Sequence, residues 1–171
     1  MKATPNIQEF YHNMALLSMK FARVEYHLGE ILSKFITDSF VISGILFENN
    51  VLVKNIELLK KINQYNGFET ERLDKILKEI NSIRGNRNLF VHGLWGNPYL
   101  EDDDIICVVS SFKLERTKGN IEKNWLSGKH RKVTLSELKK TTTKIDQIIS
   151  EQENLLKLIE EEGAELRDHI Y

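Results

Sequence analysis

With 171 residues, 41% apolar content and a net charge of -1, the chain has enough apolar mass for one domain with a sizeable core, spanning residues 1–171. That excludes a disordered or fibrous protein. No apolar run approaches the ~20 residues of a membrane span, and the start Met1-Lys2-Ala3-Thr4-Pro5-Asn6 lacks the apolar block of a secretory signal, so a cytoplasmic protein with no membrane partner is expected.

The first predicted element is a long helix over about 5–37, in which Met14, Leu17, Phe21, Val24, Leu28, Ile31 and Phe35 recur in threes and fours behind a Thr4-Pro5 start. Gly44 and the Asn49-Asn50 pair then interrupt the chain. A second helix over about 50–65 carries Leu52, Ile56, Leu59 and Ile62 and stops at Asn66-Gly67. A third, over about 69–94, carries Leu73, Ile76, Ile80, Ile83, Phe90 and Leu94. The period then changes. Ile105-Ile106-Cys107-Val108-Val109 is β-rich, Lys118-Gly119-Asn120 reads as a turn and a second strand falls between Ile121 and Val133, which makes a β-hairpin over about 104–133. The last helix, over about 135–162, starts on the capping box Thr134-Leu135-Ser136-Glu137, with Val133 and Leu138 as its hydrophobic staple. Its stripe runs Leu138, Thr142, Ile145, Ile149, Gln152, Leu156 and Ile159, and Glu160, Glu161, Glu162, Glu165 and Asp168 follow as a solvated acidic tail. The fold expected is a mainly α, up-and-down helical bundle with a β-hairpin inserted between the third and last long helices.

The lone Cys107 excludes an internal disulfide and reads as a small hydrophobe buried in the apolar strand. The histidines at 12, 27, 92, 130 and 169 show no metal-ligand spacing, so neither metal nor cofactor is expected.

The third helix holds an arginine where its stripe calls for an apolar residue. Arg87 points the same way as Ile83 and Phe90, so its guanidinium must snorkel along its stem or meet an acceptor. Arg84, Asn88 and His92 follow each other at intervals of four, on one row. Arg87 and His92 are five apart, roughly 7.5 Å along an ideal helix axis and about 140° around it, and on that geometry they converge poorly within one chain. A homodimer through this helix would bring two arginines and two histidines into a shared cleft. Gly85 costs about 1 kcal/mol relative to alanine inside a helix. Either a backbone or a substrate comes close there, or the helix kinks slightly. Gly93-Leu94-Trp95-Gly96-Asn97-Pro98 ends the helix and leaves His92 near an accessible terminus.

The segment Arg87-Asn88-Leu89-Phe90-Val91-His92, late in a long helix of a small and mostly helical chain, resembles the HEPN superfamily of helical-bundle ribonucleases and nucleotide-binding proteins. The resemblance is specific over about residues 70–96 and architectural elsewhere. It implies that Arg87, Asn88 and His92 are the R-N-x3-H motif of a metal-independent endoribonuclease, a possible toxin or phage-defence effector with an antitoxin or other partner protein. A subgroup of such toxins, paired with nucleotidyltransferase antitoxins, carries a tyrosine two residues after the histidine. Here that position is Leu94.

RNA is the expected partner of the hairpin as well. Over residues 113–132 seven Lys or Arg (113, 116, 118, 123, 129, 131, 132) stand against Glu115 and Glu122, a net of +5 in a chain whose total is -1. Such an excess suits a phosphate backbone, with Lys129, Arg131 and Lys132 as contacts and Trp125 stacking on a base. Arg84 joins them as a substrate-binding residue. Lysines also protect an exposed strand edge without binding anything. Two other functions fit the same residues: a non-catalytic module binding a nucleotide, RNA or protein, and a scaffold in which Arg87 pairs with Glu25 or Glu30.

Overall fold

Residues 6–37, 39–47, 50–111, 113–114, 125–126 and 130–168 are described by the computed structural model, and they fold as five helices, a four-stranded antiparallel sheet and a separate two-stranded one. Helix α1 (Ile7–Ile36) buries Leu17, Phe21, Val24, Leu28, Ile31 and Phe35, the stripe expected from their spacing. Thr4 and Pro5 lie outside the described residues. Asn6 caps the helix instead, its Oδ1 accepting from the Gln8 amide at 2.9 Å. Helix α2 (Phe40–Phe47) was not expected, because eight apolar and small residues have no amphipathic period and Gly44 reads as a breaker. Helix α3 (Leu52–Asn66) ends where predicted, on Gly67 at φ +66°, a left-handed conformation that glycine adopts without steric cost. Helix α4 (Thr70–His92) stops two residues before the expected end. None of the described helices is long and apolar enough to cross a membrane.

Six short strands follow. They are β1 (Leu94–Trp95), β2 (Tyr99–Glu101), β3 (Asp104–Ser110), β4 (Lys113–Leu114), β5 (Trp125–Leu126) and β6 (His130–Thr134). The predicted hairpin corresponds to β3 and β6, paired from Ile106↔Thr134 to Ser110↔His130. The observed sheet is larger, since β1 and β2 line the other edge of β3. Their register slips by one residue across Gly96-Asn97-Pro98, a bulge that the Gly96 amide holds by donating to the Val108 carbonyl at 2.9 Å. The turn from β2 to β3 places Asp102 and Asp103 at φ +50° and +62°, the backbone of a two-residue I′ hairpin. Strands of two and three residues show no period, and this part of the sheet went unpredicted for that reason. The turn expected at 118–120 lies outside the described residues.

Helix α5 (Leu135–Asp168) begins on half of the predicted capping box: the Glu137 amide donates to Thr134 Oγ1 at 3.0 Å while the Glu137 carboxylate pairs with Arg131, and Val133 and Leu138 are fully buried. Its helical backbone runs six residues past the expected end, through Ala, Glu, Leu and Arg, which are good helix formers. Replacing Thr134 by Ala should cost about 1 kcal/mol, read as a lower midpoint in urea with an unchanged slope.

Two compact units share these elements. One comprises residues 1–19 and 84–143, the other 20–83 and 144–171. In the first, Phe10, Phe90, Ile105, Cys107, Val109, Val133 and Leu138 make the core behind the sheet. Burial pushes the Cys107 thiol above its ordinary pKa, and its Sγ lies 3.2 Å from the Gly96 carbonyl, so it packs as an inert small hydrophobe. In the second, Leu28, Leu32, Leu59, Leu73, Leu77, Ile80, Ile145 and Leu155 are buried to 1% exposure or less. Gln152, a polar residue in the α5 stripe, is fully buried there and its Nε2 donates to the Val24 carbonyl at 3.0 Å.

Candidate functional site

The motif residues occupy the last two turns of α4, within the first unit. Phe90 is buried at 4% exposure and anchors this end of the helix. Arg87 is half-buried, while Asn88 and His92 are exposed. Of the two outcomes open to a guanidinium on the apolar stripe, snorkelling out or meeting an acceptor, Arg87 takes both: half-buried, it brings its guanidinium out among polar groups. Nη1 donates to His92 Nε2 at 3.1 Å and to Asn88 Oδ1 at 3.3 Å.

This corrects the expectation that Arg87 and His92 converge poorly within one chain. Helical rise and angle locate backbone atoms only. An arginine side chain reaches along the helix, and His92 is the last helical residue, where the chain turns away into β1. A guanidinium has donors and no acceptor, so Nε2 supplies a lone pair and this contact is one with the neutral imidazole. The arrangement offers an exposed imidazole nitrogen, a fork of fixed positive charge and an amide on one surface.

The residues after His92 hold it in place. Trp95 Nε1 donates to the Phe90 carbonyl at 3.0 Å, satisfying one acceptor left open by the helix end. Its ring stacks on Phe90 at 5.6 Å and meets Phe10 edge-on at 6.1 Å. Sequence reasoning gave Trp95 no role, and an aromatic just beyond a helix stop was the only signal. Gly93 has no left-handed φ and is required for a different reason from the one expected: a Cβ there would stand 2.3 Å from the Leu89 carbonyl oxygen and 2.5 Å from Val109 Cγ1. Gly85, by contrast, faces open space, with no atom within 4 Å of where a Cβ would stand. No described backbone comes close there.

The other predicted site residues divide. Arg84 lies one turn before Asn88 on the same helix and is half-buried. Arg131 donates to Asn86 Oδ1 at 2.9 Å and pairs with Glu137, which ties β6 to the motif helix instead of leaving the guanidinium free for phosphate. Lys132 sits 2.7 Å from Glu101, which holds its ammonium above the usual lysine pKa. Two of the three proposed phosphate contacts thus already have carboxylate partners, though exposed pairs of this kind contribute little and exchange readily. Lys129 and the side chain of Trp125 lie outside the described residues. Of the two carboxylates considered as partners for Arg87, Glu30 is held by His27 Nδ1 at 2.8 Å in its own helix.

One pair was missed altogether. Ser110 Oγ and His130 Nδ1 are 2.7 Å apart on neighbouring strands β3 and β6. His130 had been weighed only as a metal ligand, and no local pattern joins two residues twenty positions apart.

Comparison of the chain with protein-family models, with curated proteins and with solved structures gave no significant match.

Proposed function

We propose that this chain is a metal-independent endoribonuclease of the HEPN type, with Arg87, Asn88 and His92 as its catalytic residues. The observation that carries the reading is the 3.1 Å contact between Arg87 Nη1 and Nε2 of an exposed His92, with Asn88 on the same guanidinium nitrogen. A phosphodiester entering this surface takes the guanidinium donors in its two non-bridging oxygens, a match of fork to fork. Nε2 is then free to accept the proton of the ribose 2′-OH. The 2′-oxygen attacks phosphorus, the bond from phosphorus to the 5′-oxygen breaks, and Arg87 stabilises the charge that builds on the phosphorane. Asn88 orients the imidazole or holds a phosphate oxygen. The leaving 5′-oxygen needs a proton donor, assigned here to the second His92 of a homodimer formed through α4. That dimer would serve proton transfer alone, since one chain brings arginine and histidine together unaided.

The test is incubation of the purified protein with mixed RNA in EDTA. Products ending in 2′,3′-cyclic phosphate and 5′-hydroxyl are expected, and none from DNA, which lacks the attacking hydroxyl. Tight nucleotide binding without cleavage would replace this reading with that of a non-catalytic binding module. Light scattering that shows a strict monomer would remove the second His92 as the acid.

A further inference from the structure

His130 and Ser110 have no part in the chemistry above, yet the sheet brings them to the same end of the first unit as His92. Leu94 pairs with Ser110 and Ser110 with His130, so the three form one row across β1, β3 and β6, and the row begins two residues after His92. Ile105, Cys107 and Val109 alternate with Ser110 along β3 and are buried at 1% exposure or less, which turns Ser110 and its row partners to the opposite face. Leu94, on that face, is 64% exposed. Arg131, next along β6, pairs with the core-facing Val109, so its side chain takes the other face of the sheet, and there it holds Asn86 immediately before Arg87.

Ser110 also holds the ring in place. When the Ser110 hydroxyl donates to Nδ1, the proton of the neutral imidazole sits on Nε2, and the imidazolium, donating from Nδ1 to the Ser110 oxygen, carries one on Nε2 too. In both cases an N–H points away from Ser110, and among the described residues Nε2 has no partner. Two strand steps put His130 about 10 Å from Leu94 between Cα atoms, too far to share the scissile phosphate with His92 but suited to a neighbouring one.

We infer that His130, oriented by Ser110, binds a phosphodiester of the RNA one or two nucleotides from the scissile bond, with the exposed Leu94 under the nucleotide between. The inference rests on the nuclease reading. Its test is the steady-state cleavage of a single-stranded RNA oligonucleotide in which neutral methylphosphonates replace, one at a time, the phosphates flanking the scissile one. In the wild-type protein one such replacement should raise KM about tenfold with kcat unchanged, the loss expected for a hydrogen bond to a charged group. His130→Ala should raise KM by about the same factor on the unmodified RNA and become indifferent to that replacement. His130→Gln, which keeps an N–H donor, should recover most of the binding and serves as the probe if the alanine variant fails to fold.

A His130→Ala protein with wild-type KM, or one that responds to every methylphosphonate as the wild type does, overturns the inference and leaves the nuclease standing. A wild-type protein that cuts no RNA overturns both.

Discussion

Replacing His92 by Ala should lower the rate of RNA cleavage by about 10²–10⁴-fold, the usual worth of a positioned proton-transfer group. The fold should survive. His92 is the exposed last residue of α4 and its side chain supports no core contact, so thermal melting should match that of the wild type. Arg87→Ala should abolish cleavage for a different reason: it leaves Nε2 unoccupied but removes the charge that meets the phosphorane, a loss of about 10²–10³-fold for one electrostatic donor. Arg87→Lys should restore little, because an ammonium cannot reproduce the fork that would engage two phosphate oxygens. Single-turnover cleavage of a labelled RNA in EDTA reads all three. Were His92→Ala to cut at the wild-type rate, the nuclease would lie at another site or in another protein.

Gly93→Ala should be the most damaging small substitution near the site. Its methyl would stand 2.3 Å from the Leu89 carbonyl oxygen and 2.5 Å from Val109 Cγ1, the first a backbone atom that cannot move without distorting the last turn of α4. Overpacking of this kind costs about 3 kcal/mol, roughly 6–12 °C in Tm for a chain of this size. Gly85→Ala, eight residues earlier and inside α4, meets nothing within 4 Å beyond its own helix and should instead stabilise by about 1 kcal/mol, roughly 2–4 °C. The opposite signs make the pair its own control in one set of melts. Equal shifts for the two would mean that the Gly93 contact with β3 is not present in solution. Loss of cleavage in the more stable Gly85→Ala protein would show that substrate passes over that turn.

The sequence alone determined whatever depends on spacing along one element. The stripes of α1, α3 and α5, that of α4 as far as Phe90 but not the exposed Leu94, the glycine stop at 67 and the Thr134 cap were legible because helical period, left-handed glycine and cap chemistry are local. So was the placement of Arg87, Asn88 and His92 together on one helix. Tertiary structure decided the rest. Helix α2 is too uniformly apolar to show an amphipathic period, Ser43 being its one polar residue, and β1 and β2 are too short to show alternation, so that the two strands are defined by their pairing with β3. Whether Arg87 meets His92 depended on side-chain reach and on the turn that Gly93 and Trp95 impose, neither of which a helical wheel contains. Arg131 and Lys132 read as phosphate contacts from local charge, yet their carboxylate partners Glu137 and Glu101 arrive from other elements. The row that joins Leu94, Ser110 and His130 exists only because β3 pairs on both edges. Strand register couples residues twenty and more positions apart through backbone hydrogen bonds, and those bonds leave no mark in side-chain order.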